Sequence, residues 1–583
     1  MRKLLSLILA ICLVLGVCSV FAGCDPDGEE IDPNKTQVYV GVANSGVGRA
    51  WIDELDRIYE QRNPNVQIIV DYKGEELSSG ELKRTMSAIR QDVIFSNNLI
   101  MNDIIENPET GTLLEDITSL VTEGGADSLY SKMWESSKVS MLNYGTVEQP
   151  KFYALPFFTS HYGMVYDVDM FDAYELFDLA GYRGLDLQDG NDDDTYGPDG
   201  VENTYDDGLP ATWEDFKILL DVMVSKGVIP FTYSAKDRGY QNRWLSSIWA
   251  SYEGANDYGL LTSLSGTDSD FGTITPQNAW QLSKQTGKFA ALKVAEYLVK
   301  HSTNSNGNSN YISSRVLKGS SHSNINAQVE FVNSYPASLP ENGEQMKPVA
   351  FLLEGDWWEN EAKDSGTFDD CIEEFGDNGW GYGERNFAYF PFPKFKGSYE
   401  TDGIPDQVNE MTTLGDNVGN QYAAAFINKY SDVLDAAKDF LKFCYSEEAN
   451  AIFTQITGMM KPFDYTMSRT QLDALTPYQR SLWDMVHDEN SKIDRVTGRS
   501  RSTIYYYESG YIKNAFNFAA RIPGVGSDVG AKIEYPLDDF MTYKSELMTA
   551  ENYFNNLVAG TAQAGQDGIN EANWLENLGD YLG

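Results

Sequence analysis

Two stretches of the chain gather side chains that could do chemistry. Residues 186–210, DLQDGNDDDTYGPDGVENTYDDGLP, hold Asp186, Asp189, Asp192, Asp193, Asp194, Asp199, Glu202, Asp206 and Asp207, with glycines at 190, 197, 200 and 208. Hard oxygen donors on a loop with glycines for tight turns are what calcium requires. Without a bound cation, carboxylates this dense repel one another. The spacing differs from that of the EF-hand loop. We therefore expect a structural Ca2+ on Asp192, Asp194, Asp199, Asp206 and Asp207, ordering the loop, with a solvated acidic insertion as the alternative. The second stretch is Asp356-Trp357-Trp358. Aromatic planes stack on the C–H face of a sugar ring, and Asp, Asn, Arg and backbone groups take its hydroxyl rim.

The composition narrows the partners. Of 583 residues, 87 are acidic and 44 are Lys or Arg, for a formal charge of −43. Such a surface repels phosphate, so nucleic acid is excluded as a general partner. No Gly-x-Ser-x-Gly, His-Glu-x-x-His or P-loop pattern occurs. Glu354, Asp356 and Glu359 could serve as a glycoside-hydrolase carboxylate pair, but acids are everywhere in this chain and carry little signal.

The first residues give an address. Met1-Arg2-Lys3 leads into an apolar run from Leu4 to Phe21, which breaks at Ala22-Gly23-Cys24. This pattern is that of a secretory signal, and Phe-Ala-Gly-Cys resembles a bacterial lipobox. That resemblance implies cleavage after residue 23 and a lipid on Cys24. Residues 24–35 then form a flexible tether, and the protein sits on the extracellular face of the cell membrane, anchored by lipid. Cys371 and Cys444 remain, either as one disulfide or as two buried thiols.

Elements follow from periodicity. Alternating residues predict strands over 36–42, 66–72 and 92–96, with a helix over 49–63. Short strand–helix alternation argues for an α/β fold with a parallel sheet. Thr212 caps a predicted helix over 211–227. Strands are predicted at 228–234, 348–355 and 420–428, a mainly helical region at 239–335, and a helix pair at 431–458.

In this order, the segments ALPFFTSHYGMVYDVDMF (154–171), LPATWEDFKILL (209–220), VAFLLEGDWW (349–358), FAYFPFPKF (387–395) and AAAFINKYSDVLDAAKDFLKF (423–443) resemble landmarks of the extracellular solute-binding proteins of carbohydrate ABC transporters, the group that includes maltose-binding protein. The resemblance covers residues 36 to about 460. It implies a two-lobed periplasmic-binding-protein-like fold with a hinged interlobe cleft. Lobe 1 would hold 36–157 plus 355–424, and lobe 2 would hold 160–350 plus 430–583, with crossings near 156–160, 350–355 and 424–430. It also implies a monomer that binds an oligosaccharide, docks on the permease subunits of an ABC transporter and is not an enzyme. Where maltose-binding protein carries a Glu, four residues past the proline, this chain has Ser160.

The same resemblance places Asp356, Trp357 and Trp358 in the cleft, one tryptophan facing ligand and the other packing inward. Phe157 and Phe158 fall on the first crossing, as ligand contacts or hinge packing. Asn44, Ser45 and Arg49 follow the first strand, and Ser96, Asn97 and Asn98 follow the third, at the usual ligand-facing ends of parallel strands. Trp244 and Trp249, at i and i+5, do not share a helix face, so one is expected in the core and one, taken as Trp244, near the cleft. Tyr505-Tyr506-Tyr507 is expected to alternate in a strand. A secreted glycoside hydrolase and a calcium-dependent surface adhesion lipoprotein are the competing readings.

Overall fold

The computed structural model describes residues 31–44, 46–73, 79–97, 112–138, 142–177, 196–335, 340–341, 344–345, 347–376, 379–414, 423–488, 490–496, 510–522, 524–525, 531–561 and 569–579. The lipobox with Cys24, and also Ser45, Asn98, Asp192, Asp194 and the tyrosines at 505–507, lie outside them. Among the described residues no helix is long and apolar enough to cross a membrane.

Strands β1 (Thr36–Ala43), β2 (Val66–Lys73), β3 (Val93–Ser96), β4 (Ala154–Pro156), β5 (Tyr162–Asp167), β6 (Ile229–Tyr233), β7 (Val349–Gly355), β8 (Phe387–Phe390) and β9 (Ala424–Ile427) build two sheets. The first has the order β2-β1-β3-β9-β4 and the second β8-β5-β7-β6. β1 runs parallel to β2 and β3, whereas β9 is antiparallel to both β3 and β4. In the second sheet β7 is parallel to β6 and antiparallel to β5. β5 and β7 are buried along their whole length, which is why they read as apolar runs rather than alternations. Each sheet carries its own core, so the architecture is a two-lobed α/β fold.

Helix α1 (Ala50–Arg62) buries Trp51, Ile52, Leu55 and Tyr59 against the first sheet. Helix α2 (Trp213–Ser225) opens with the capping box of Thr212 and Asp215. This arrangement satisfies helix-end amides that would otherwise lack partners.

The lobes divide the chain differently from the sequence expectation. β8 pairs with β5 in the second sheet, Phe390 opposite Met164, so residues near 390 belong with lobe 2 and not lobe 1. The Phe390 ring lies 4.8 Å from Phe351, and the β8 aromatics complete that core. Conversely, helices α3 (Leu434–Cys444) and α4 (Glu447–Thr457) pack on lobe 1. Phe440 sits 5.1 Å from Tyr59, and Phe453 sits 5.2 Å from Trp51. The chain thus passes between the sheets at 157–161, 391–423 and 459–476. The expected crossing at 350–355 is instead the middle of the second sheet. Beyond residue 510 the tail packs into the second core through Ile512, Phe518, Phe540 and Trp574.

Cys371 and Cys444 are free and buried, one in each lobe's packing. Burial pushes their thiols up, to about 11 and about 12.

Candidate interlobe ligand site

The first passage is bonded to the start of β9 and to the third passage, and β4, which leads into it, is bonded to the end of α3. Phe157 N donates to Ala423 O at 3.1 Å, Thr159 N donates to Met460 O at 2.8 Å, and Tyr445 Oη donates to Pro156 O at 2.8 Å. A short connection cross-bonded to its neighbours, as 157–161 is, has the form of a hinge.

Just past the first passage lies a buried polar pair. His161 N donates to Asp356 Oδ2 at 3.1 Å, its ring Nδ1 lies 3.1 Å from the same oxygen, and Asp356 N donates to His161 O. Both side chains are almost wholly buried. Burial raises the Asp356 carboxyl, and the His161 bonds oppose that rise. Asp356 Oδ1 is buried without a hydrogen-bond partner. Two residues earlier, Glu354 is raised well above the carboxylate range by burial and then by the nearby Glu361 charge. Glu361 accepts from Gln328 at 2.7 Å and from Asn324 at 3.0 Å.

Trp357 follows Asp356 at the start of helix α5 (Trp358–Asp364). Its indole is wedged between two glycines. A Cβ on Gly355 would lie 2.2 Å from the ring, and one on Gly46, in lobe 1, would lie 3.0 Å from it. Asn360 Nδ2 donates to Gly46 O at 2.8 Å, so the loop after β1 is bonded to α5 across the lobes. On its other side Trp357 meets Tyr162, centroids 4.8 Å apart and edge-on, and Tyr240 at 6.2 Å. The Arg243 guanidinium lies 4.7 Å over the Tyr162 ring and bonds the Tyr162 hydroxyl. Arg243 is exposed and makes no ion pair among the described residues. Aromatic planes, two carboxyl groups and a guanidinium around one interlobe position can hold a polyhydroxyl molecule by stacking and by hydrogen bonds of both polarities.

The sequence-expected residues divide. Asp356 and Trp357 stand in this constellation. Trp358 is corrected to a core residue: it has no exposure and packs 5.1 Å from Phe387 and 5.4 Å from Tyr478. Trp244 is likewise in the second core, between Phe231 and Phe392, and Trp249 is buried with its indole N–H on Gln285 Oε1. Both face inward because the helix Gly239–Glu253 is covered on more than one side by the tail and by Thr286–Lys300. Phe157 packs among Trp51, Phe95 and Phe158 in the first core, so Phe157 and Phe158 are hinge packing. Asn44 is half-buried and accepts from Gly48 N at 3.2 Å, forming the turn before α1. Arg49 pairs with Asp53 one turn along that helix. Ser96 is buried and donates to Asn97 O at 3.3 Å, and Asn97 is half-buried.

Sequence reasoning missed His161, Tyr162, Tyr240 and Arg243. Tyr162 reads as one more apolar strand residue, and Tyr240 and Arg243 reach the site only through the fold. A cleft reading of Glu354 was hidden by the abundance of acids.

In the acidic loop, Asp199, Asp206 and Asp207 are described. Asp199 N donates to Asp206 Oδ2 at 2.9 Å, and Thr204 Oγ1 donates to Asp206 Oδ1 at 2.9 Å. Asp206 is pushed up to about 7 by burial and by the Asp199 charge. Among the described residues no group of three or more His, Cys, Asp or Glu side chains is placed to hold a metal ion.

Residues 43–312 match the family model described as bacterial extracellular solute-binding protein. No curated protein matches the chain. Similar solved structures include the apo form of RafE from Streptococcus pneumoniae, at 13% identity and a TM-score of 0.46, covering 88% of this chain and 98% of that one. A maltotriose-binding protein of Thermus thermophilus is 14% identical, with a TM-score of 0.44, over 82% and 94%. A chitin oligosaccharide binding protein is 14% identical, with a TM-score of 0.46, over 83% and 94%. The matched segment 43–312 includes the first hinge passage and Tyr162, Tyr240 and Arg243.

Proposed function

We propose that this protein is a lipid-anchored receptor on the outer face of a bacterial cell membrane. It captures a carbohydrate, an oligosaccharide in our reading, between its lobes and delivers it as a monomer to the permease of an ABC importer. It performs no chemistry on the sugar. The observation that carries the reading is the seating of lobe 2 Trp357 against lobe 1 Gly46, beside Tyr162 and Arg243. A molecule held there touches both lobes, so its binding favours the closed form by the difference in its affinity for the closed and open forms. The cross-bonded hinge and the sequence of the first 24 residues support the same reading.

The test is a thermal-shift screen of the protein lacking residues 1–24 against a panel of oligosaccharides, with product analysis of every mixture. A ligand at 100 times its Kd adds about 2.7 kcal/mol of stability. A shift with one glycan class and no cleavage supports capture for transport. A shift accompanied by cleavage overturns it in favour of a hydrolase, and silence across all sugars overturns the carbohydrate reading.

A further inference from the structure

The loop over 196–209 is folded around its own acids, and the acids are not used equally. Asp206 spends both carboxylate oxygens inside the loop, one on Asp199 N and one on the Thr204 hydroxyl. Asp199 and Asp207 each spend one: Asp199 Oδ1 accepts from Val201 N at 2.7 Å, and Asp207 Oδ2 accepts from Asn203 N at 2.7 Å. Their second oxygens, Asp199 Oδ2 and Asp207 Oδ1, are buried without a hydrogen-bond partner. Asp199 itself is only 2% exposed. Withdrawing a carboxylate oxygen from water without replacing its hydrogen bonds is costly, and a pair of such oxygens in one loop calls for a positive partner. The buried ammonium of Lys394, which feels the Asp206 and Asp199 charges, is directed at Met411 O at 2.6 Å. The backbone is already set for the turn: Gly197, Gly200, Asn203 and Gly208 all have positive φ, and Gly197 lies so close to Asp206 that a Cβ there would sit 2.1 Å from its carbonyl oxygen.

We propose that Asp199 Oδ2 and Asp207 Oδ1 bind one calcium ion, with Asp206 as the residue that positions Asp199 and not as a ligand. Hard carboxylate oxygens with water and carbonyl groups filling the remaining places suit calcium's irregular six- to eightfold shell, whereas magnesium demands a near-ideal octahedron. Two protein carboxylates put the site in the weak extracellular class, with a Kd of about 10⁻⁴–10⁻³ M. The ion would fix the loop against the helix Pro477–His487, because Asn203, Thr204 and Tyr205 share a groove with Arg480, Trp483 and His487.

The experiment strips the protein with EGTA and then titrates it with calcium alone. Melting temperature and terbium luminescence sensitised by the nearby aromatics are the readouts. The proposal expects a saturable rise in Tm at millimolar calcium, with one terbium displaced per chain by calcium. D199N and D207N should each weaken binding at least about tenfold, the effect expected when a charged ligand is lost from a weak site. E202Q, an exposed acid of the same loop, should leave it unchanged. An equal response to magnesium, equal loss in E202Q, or full calcium binding in the D199N/D207N double variant would overturn the site. The last result would move the ion to the other acids of 186–194. No saturable response up to about 10 mM calcium would overturn it outright.

Discussion

Gly46 of the first lobe lies against Trp357 of the second, 3.0 Å separating the place a Cβ would occupy from the indole ring. Gly46 also has a φ of 74°, a left-handed conformation that costs most side chains about 1–2 kcal/mol. Gly46→Ala should therefore weaken solute binding, through the closed form, by about tenfold, which is about 1.4 kcal/mol. Calorimetric titration of the variant and the parent would show this. Equal affinities would mean that the two lobes do not meet here when solute is bound.

The adjacent tryptophans should separate by phenotype. Trp358 fills the space between Phe331, Phe387 and Tyr478, so Trp358→Ala should cost about 3–5 kcal/mol of stability in urea unfolding. Trp357→Ala leaves that core intact and should lose binding in excess of stability. The reverse ranking would exchange their roles.

Gly355→Ala tests the wedge from the other side. A Cβ there overlaps the indole at 2.2 Å, and overpacking of this kind costs about 1–3 kcal/mol. Pairing it with Trp357→Ala should recover most of that loss. No recovery would show that something other than the ring is in the way.

Stability should fall as pH rises toward neutrality. Burial raises Glu359 to about 7, with one bond from Thr476 Oγ1 and the Lys363 charge opposing. A carboxyl whose pKa is higher folded than unfolded holds its proton more tightly in the native state. Its contribution is complete below the unfolded value and is lost as pH rises through about 7. Glu359→Gln should flatten the decline between about pH 4.5 and 7, read from urea midpoints. An unchanged slope would assign the decline to other groups.

Cys371 and Cys444 should not react with a thiol reagent until the protein unfolds, because burial both hides them and keeps them protonated. In the protein lacking residues 1–24, two thiols should titrate in denaturant and none in native buffer.

Much of the fold was legible because period and punctuation agreed. The alternation of TQVYVGV and the cap at Thr212 each mark an element where the structure has one. The division of elements between lobes was not legible. Nothing local in FAYF says that it pairs with β5, and nothing in the 434–457 helices says that they cover Trp51; pairing is decided by partners hundreds of residues away. Of the candidate site, the sequence named Asp356 and Trp357, through the resemblance that places them in the cleft. Tyr162, Tyr240 and Arg243 are brought together from separate elements, and Trp244 and Trp358 are aromatic for packing. One-dimensional spacing does not distinguish those two uses of an aromatic residue.

The most direct test of a solute site at Trp357 is calorimetric titration of the parent protein and Trp357→Ala with the oligosaccharide that shifts the parent in the screen. Capture between the lobes predicts one saturable event per chain, no new reducing ends in the mixture, and at least a tenfold weaker Kd in the variant, about 1.4 kcal/mol. Unchanged affinity in a folded Trp357→Ala, or a shortened glycan at the end of the titration, would contradict it.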